Sequence, residues 1–293
     1  MPSPKLHHYV PQFYLRRFTE EGRLWVFDKN TQKVFAAGPA VIAAETNVYR
    51  SSLLSGTNAD PLFLEKGLSE IESEASAITA QWLVSLKSIE PVGKMEVPDT
   101  DRYAMSQYIA MQWVRTTGMR DILELVLNQG KKYRPEEMRN LHHSLLVLDD
   151  LMLRELAEKI RDSIWIFGRN TTPTPFVTSD NPVTVHDPNH MWVRSGIIKA
   201  PGTCVTLPLS PSFIFFGYER NHWKKLARFD CTLSPVEFTQ ELVEHENCGQ
   251  VSNASRFVIS RGKDFEFARA LIKEGYTEIV DPHVHPRPDR RRL

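Results

Sequence analysis

Two imidazoles, two phenols and two guanidiniums fall within the twelve residues His7-His8-Tyr9-Val10-Pro11-Gln12-Phe13-Tyr14-Leu15-Arg16-Arg17-Phe18. Histidine transfers protons near neutral pH and ligates metals. Neighbours on an extended chain project to opposite sides, so one of His7 and His8 can face a site while the other turns away. The plain alternative is a structural histidine hydrogen-bonded to backbone where the fold begins. A second set, Glu65 and Glu72, lies seven residues apart in Leu64-Glu65-Lys66-Gly67-Leu68-Ser69-Glu70-Ile71-Glu72. At about 3.6 residues per helical turn both carboxylates share one face, where they could hold a cation. With Glu70 and Glu74 beside them, the same spacing also fits a solvated acidic face.

Tyr108, Gln112 and Arg115 fall at i, i+4 and i+7 and share a helix face. The planar fork of arginine suits a carboxylate or phosphate, or equally a buried pairing with Glu65 or Glu72 that ties two helices together. In Phe176-Val177-Thr178-Ser179-Asp180-Asn181-Pro182-Val183 a strand runs into turn residues. Asp180 therefore stands at a strand end, where rigid scaffolds deliver catalytic or metal-binding carboxylates; an ordinary Asx turn is the alternative. His142-His143, His186-Asp187, His190 and His245-Glu246-Asn247 resemble fragments of metal sites, but none has a HExxH or comparable ligand spacing. Walker, Rossmann and GxSxG patterns are absent, which removes most weight from nucleotide-dependent and serine-hydrolase chemistry.

Several elements must position these groups. Leu24–Asp28 and Lys33–Ala36 read as a hairpin around Lys29-Asn30-Thr31. Helical periodicity runs from Pro61 to about Lys87, from Pro98-Asp99 to roughly Gln129, and from about Glu136 to Arg161. Beyond Ser163 the period changes to short strands at Trp165–Phe167, Pro175–Thr178, Thr203–Leu207 and Phe213–Phe216. A helix over Glu237–Ser252, a strand over Arg256–Ser260 and a helix over Asp264–Glu274 follow. The pattern predicts an α+β fold, with a helical N-terminal half packed on a mixed or antiparallel sheet from the C-terminal half. We expect one domain over residues 1–280 and a mobile basic tail over 281–293.

Apolar residues make up 41% and charged residues 25%, so a sizeable core is available. Lysine plus arginine equals aspartate plus glutamate at 36 each, leaving no global field that draws the chain to nucleic acid or an anionic membrane. Local basic patches remain at Arg16-Arg17, Lys131-Lys132 and Arg290–Arg292. Cys204, Cys231 and Cys248 fit no CxxC pattern and cannot all pair with one another, which suits a reducing compartment. No run approaches the roughly 20 apolar residues of a membrane span, and the chain reads as cytosolic.

Taken in order, HHYVPQFYLRRF, Glu45-Thr46-Asn47-Val48-Tyr49, LEKGLSEIE, Arg115-Thr116, TSDNPV and Leu207-Pro208-Leu209-Ser210-Pro211 resemble the DUF4238 family of uncharacterised, mostly bacterial proteins. The resemblance spans about residues 5 to 260. It implies no activity, but His7, His8, Tyr14, Asn47, Glu65, Glu72, Arg115, Asp180 and Asn181 match its pattern. The resulting expectation is a hydrolytic pocket, most readily a phosphodiesterase or nuclease acting in bacterial conflict or phage defence. His7 or His8 would act with Glu65, Glu72, Arg115 and Asp180, while Tyr14, Arg16, Asn47, Gln112 and Asn181 contact substrate. A divalent ion there would be Mg²⁺ or Mn²⁺. The alternative from another class is a non-enzymatic module that binds a ligand or partner protein, with the same residues locked in a structural polar network.

Overall fold

The computed structural model describes residues 6–46, 63–88, 97–119, 123, 150–193, 200–230 and 235–275. Strand β1 (Leu6–His8), the single-turn helix α1 (Gln12–Leu15), β2 (Leu24–Asp28), β3 (Lys33–Ala37) and β4 (Ala44–Thr46) open the chain. Helices α2 (Phe63–Ser88), α3 (Asp99–Val114) and α4 (Asp150–Asp162) follow. Then come β5 (Ile164–Asn170), β6 (Thr178–Ser179), β7 (Thr184–His186), β8 (Cys204–Ser210), β9 (Phe213–Tyr218) and β10 (Val236–Phe238). Helix α5 (Gln240–Asn253), β11 (Phe257–Ser260) and α6 (Glu266–Lys273) close the described part.

The expected α+β class is what forms. A five-stranded sheet has the order β10-β5-β9-β8-β7 and is antiparallel except where β10 runs parallel to β5. A four-stranded antiparallel sheet has the order β3-β2-β11-β6, and β1 pairs with β4. The N-terminal half is thus only roughly helical, because its hairpin β2–β3 joins the late strand β11. The apolar run of β5 is covered on both faces, as a central strand requires. Trp165 and Phe167 meet Trp82 of α2 and Phe215 of β9 edge-on, at ring separations of 4.9 to 6.0 Å. On the other face Ile164 and Ile166 pack with Phe176, Ile214, Phe216 and Val243 of α5.

Two boundaries differ from the periodicity. The expected strand Pro175–Thr178 pairs only over Thr178–Ser179, because prolines at 173 and 175 remove ladder donors and Val177 N–H goes to Asn247 Oδ1 at 2.9 Å. The second helix stops at Val114; Arg115 and Thr116 form a turn, with one more helical turn over 117–119. The rest of that expected helix, the start of the third, His142-His143, Lys131-Lys132 and the basic tail lie outside the described residues. Among the described residues no helix is long and apolar enough to cross a membrane.

Candidate functional site

Arg115 is buried at the end of α3 and reaches three elements. Its Nε donates to the Tyr9 carbonyl at 2.9 Å and to Gln112 Oε1 at 3.0 Å, and Nη1 donates to Glu72 Oε1 of α2 at 2.6 Å. Gln112 Nε2 donates to the same Tyr9 carbonyl at 3.0 Å. The helical spacing of Gln112 and Arg115 thus clamps the N-terminal arm against α2 and α3. Tyr108 lies on the same face with its hydroxyl buried, and burial raises its phenol well above the ordinary range.

The arm has a second tie. The Tyr14 hydroxyl donates to the Pro208 carbonyl at 2.7 Å and lies 2.8 Å from Thr178 Oγ1, fully buried. Burial again pushes the phenol up, so Tyr14 holds its proton at neutral pH. Replacing Tyr14 with phenylalanine leaves buried polar groups of β8 and β6 short of a partner. It should cost about 1–2 kcal/mol in a urea titration with an unchanged m value.

His7 is buried and His8 part-buried, with His8 Nε2 donating to the Ala40 carbonyl at 3.0 Å. Arg16 is exposed and donates to Gln12 Oε1, one turn back, at 3.2 Å. Arg17 turns inward instead, over the Phe13 ring and onto the Ser76 carbonyl at 3.3 Å. The basic patch expected at this place is therefore a single exposed guanidinium. Asn47 and the side chain of Glu65 lie outside the described residues.

Asp180 is buried with both carboxylate oxygens engaged: Oδ1 accepts from Ser255 N–H at 3.0 Å, and Oδ2 from the N–H groups of Arg256 at 2.8 Å and Phe257 at 2.9 Å. Burial pushes its pKa up to about 6, against the pull of those donors and Lys29, which leaves it ionised at neutral pH. Asn181 donates to the Asn253 carbonyl at 2.8 Å and Ser255 Oγ at 3.0 Å, and accepts from Gly118 N–H at 2.9 Å. A Cβ on Gly118 would lie 2.9 Å from that amide, so only glycine lets the turn after α3 approach so closely.

The hydrogen bonds therefore divide the expected residues into two networks. Glu72, Gln112 and Arg115 gather around the Tyr9 carbonyl; Asp180 and Asn181 clasp the chain between α5 and β11. Sequence reasoning missed the polar stripe on α5 that completes the second. Gln250 Nε2 donates to the Pro182 carbonyl at 2.9 Å, Asn247 Nδ2 to Pro175 at 3.0 Å, and Asn253 Nδ2 to Asn181 at 2.9 Å. The signal was three amides at helical spacing, 247, 250 and 253, facing a segment that cannot form a ladder.

The structure also assembles a cluster that looked like scattered fragments. Rings of His186, His190 and His245 lie 5.2, 6.0 and 6.3 Å apart, and Trp192 stacks on His245 at 5.1 Å. Burial lowers the pKa of His186 to about 4 and depresses that of His245. Beneath them burial raises Glu246 to about 8, keeping it mostly protonated at neutral pH. Among the described residues no group of His, Cys, Asp and Glu side chains is arranged to hold a metal ion.

A cleft of about 1020 Å³ opens on the other side of the five-stranded sheet's β8–β9 end, lined in part by Arg102, Lys159, Arg161, Glu219, Arg220 and His222. Its floor is braced: Arg102 Nη1 and Arg220 Nη2 both bind Asp230, while Arg102 Nε donates to the Arg161 carbonyl at 2.7 Å. These contacts satisfy the carbonyls that the end of α4 leaves open.

A family model described as "Protein of unknown function (DUF4238)" matches residues 6–264. No curated protein and no solved structure matches the chain.

Proposed function

The chain belongs to the DUF4238 family, a membership that carries no activity with it, and from its own residues we propose that it is a non-enzymatic binding module. In this reading the polar residues at its motifs hold the fold, and the cleft between α4 and the β8–β9 sheet takes the ligand. The observation that carries it is the saturation of Asp180 by three backbone N–H groups. A hydrolytic carboxylate needs an oxygen directed at water, substrate or an ion, and this one directs both at the backbone. Arg115 is likewise committed, to a carbonyl, an amide and a carboxylate of the chain itself.

The cleft offers the open space that the motif residues lack. At about 1020 Å³ it reaches the upper end of the volumes that enclose small molecules. Arg102, Lys159, Arg161 and Arg220 line it together with Asp99, Asp162 and Glu219. Arg102 and Arg220 are held on Asp230, Arg161 on Asp99 and Glu219 on backbone N–H groups, so the lining is close to charge balance and suits a small ligand bearing both signs better than a polyanion. The zero formal net charge points the same way.

The test is to incubate the full chain with labelled RNA and DNA in Mg²⁺, Mn²⁺ or EDTA, alongside thermal melts with a panel of zwitterionic small molecules. We expect intact nucleic acid and a melting temperature raised by one class of zwitterion in wild type but not in Lys159→Glu. Cleavage that vanishes in a folded Asp180→Ala protein would replace this reading with a hydrolase.

A further inference from the structure

The connection after β7 folds back as a small closed loop. Asp187 N–H donates to the Met191 carbonyl and His190 N–H to the Asp187 carbonyl, each at 2.9 Å; Val193 N–H then returns to the Val185 carbonyl, also at 2.9 Å. Asp187 Oδ1 accepts from Asn189 and Met191 N–H at 2.8 and 2.9 Å, which lets His190 sit in the left-handed region at φ +59°. The loop's anchor is Trp192. Its indole lies so close to α5 that a Cβ on Gly249 would be 2.5 Å from the ring, and it also meets the imidazoles of His186 and His245.

We propose that loop 187–193 is a proton-operated latch, closed on α5 while the two imidazoles packed against Trp192, His186 and His245, are neutral and released when they take up protons. Buried His186 and part-buried His245 stand 6.3 Å apart with the exposed His190 ring within 6.0 Å of both, so positive charges on the first two would be poorly screened and oppose one another. The closed site also gives a second proton no acceptor: among the described residues, His245 Nε2 is buried without a hydrogen-bond partner. His186 Nδ1 already faces the Asp187 carbonyl at 3.0 Å.

The surrounding groups do not supply the missing counter-charge. From the loop itself Asp187 acts on His186, but its carboxylate is engaged by the loop's own N–H groups. From α5, Glu246 is mostly protonated and bonded with Thr206, Glu244 accepts from Gln240 at 2.7 Å, and the Cys248 thiol is raised to about 11. From β8 and β9, Cys204 and Tyr218 are both pushed up by burial and stay neutral.

The sign follows from depressed imidazole values in the closed state. The latch is fully held above the ordinary value of 6.5, and it weakens as pH falls from there toward the value of about 4 for His186. Glu246 is bonded to β8 beneath the cluster and stays in place when the loop leaves. Release would also disturb the Pro188 ring, which packs so tightly on Gly202 that a Cβ there would lie 2.3 Å away. Gly202 adjoins Pro201 and Thr203 in the cleft wall, so gating of ligand entry rests on the binding reading above; the latch itself does not.

Hydrogen exchange of the full chain, followed by mass spectrometry at pH 7.5 and 5.0 and corrected for intrinsic rates, tests it without any ligand. Protection of the amides of 187, 190 and 193 should fall at least tenfold at pH 5.0, while β5 and β9 keep theirs. His190→Gln, at an exposed position, should move the loss to lower pH, and adding His245→Gln should shrink it further, to the part that burial of His186 alone carries. Gly249→Ala, which displaces Trp192 on a helix that otherwise favours alanine, should remove protection at pH 7.5 as well. Equal protection at both pH values in wild type, or an unchanged loss in the histidine variants, would overturn the proposal. So would full protection in Gly249→Ala.

Discussion

Replacing Asp180 with alanine should lower the unfolding free energy by about 3–5 kcal/mol, one of the two largest effects expected of any single change to the motif residues. The substitution strands the N–H groups of Ser255, Arg256 and Phe257, which today share one buried carboxylate. Each buried donor left unmade costs about 1–3 kcal/mol, and relaxation toward water recovers part of the sum. In a chain of this size the melting temperature should fall by roughly 10 °C or more. Asp180→Asn keeps the shape but turns an amide N–H₂ toward at least one backbone donor, so it should recover less than half of the loss. Calorimetry of both variants settles the matter. An alanine variant melting within about 2 °C of wild type would return Asp180 to the class of strained functional groups, whose removal leaves stability unchanged or raised.

That prediction shows what could and could not be read from the chain. The turn chemistry of Thr178-Ser179-Asp180-Asn181-Pro182 is local, and its Asx character was visible. The groups that take up the Asp180 carboxylate lie 75 to 77 positions downstream, at the head of β11. No periodicity links positions so far apart; closure of that loop is decided by β11 pairing with β2 and β6. The same limit hid the histidine cluster. His186 and His245 meet only because β7 faces α5, and each alone looked like a fragment of a metal motif. What local spacing carried well was the β2–β3 hairpin, the buried run of β5 and the shared face of Gln112 and Arg115. It also overran the end of α3, because the break at Arg115-Thr116 comes from the tertiary demand that Arg115 reach Tyr9 and Glu72.

Arg115→Ala should be as damaging, at about 3–5 kcal/mol, and the pattern of its companions separates a structural clamp from a catalytic arginine. The Arg115 side chain is 1% exposed while its partner Glu72 retains 29%. Removing the arginine leaves a carboxylate that can turn to water, together with a Tyr9 carbonyl still bonded by Gln112. Removing Glu72 instead leaves a guanidinium that cannot leave the interior, so Glu72→Ala should cost about 2–3 kcal/mol although the side chain is partly exposed. The double variant should then be less destabilised than the sum by about 1–3 kcal/mol, the coupling expected of groups in one network. Arg115→Lys cannot reach a carbonyl, an amide and a carboxylate from one nitrogen and should lose most of the clamp. Tyr9 is the far end of these bonds, so limited proteolysis of the same variants should cut within residues 6–18 before the sheets open. An arm that stays protected in Arg115→Ala would mean that Tyr14, held at Pro208 and Thr178, anchors it alone.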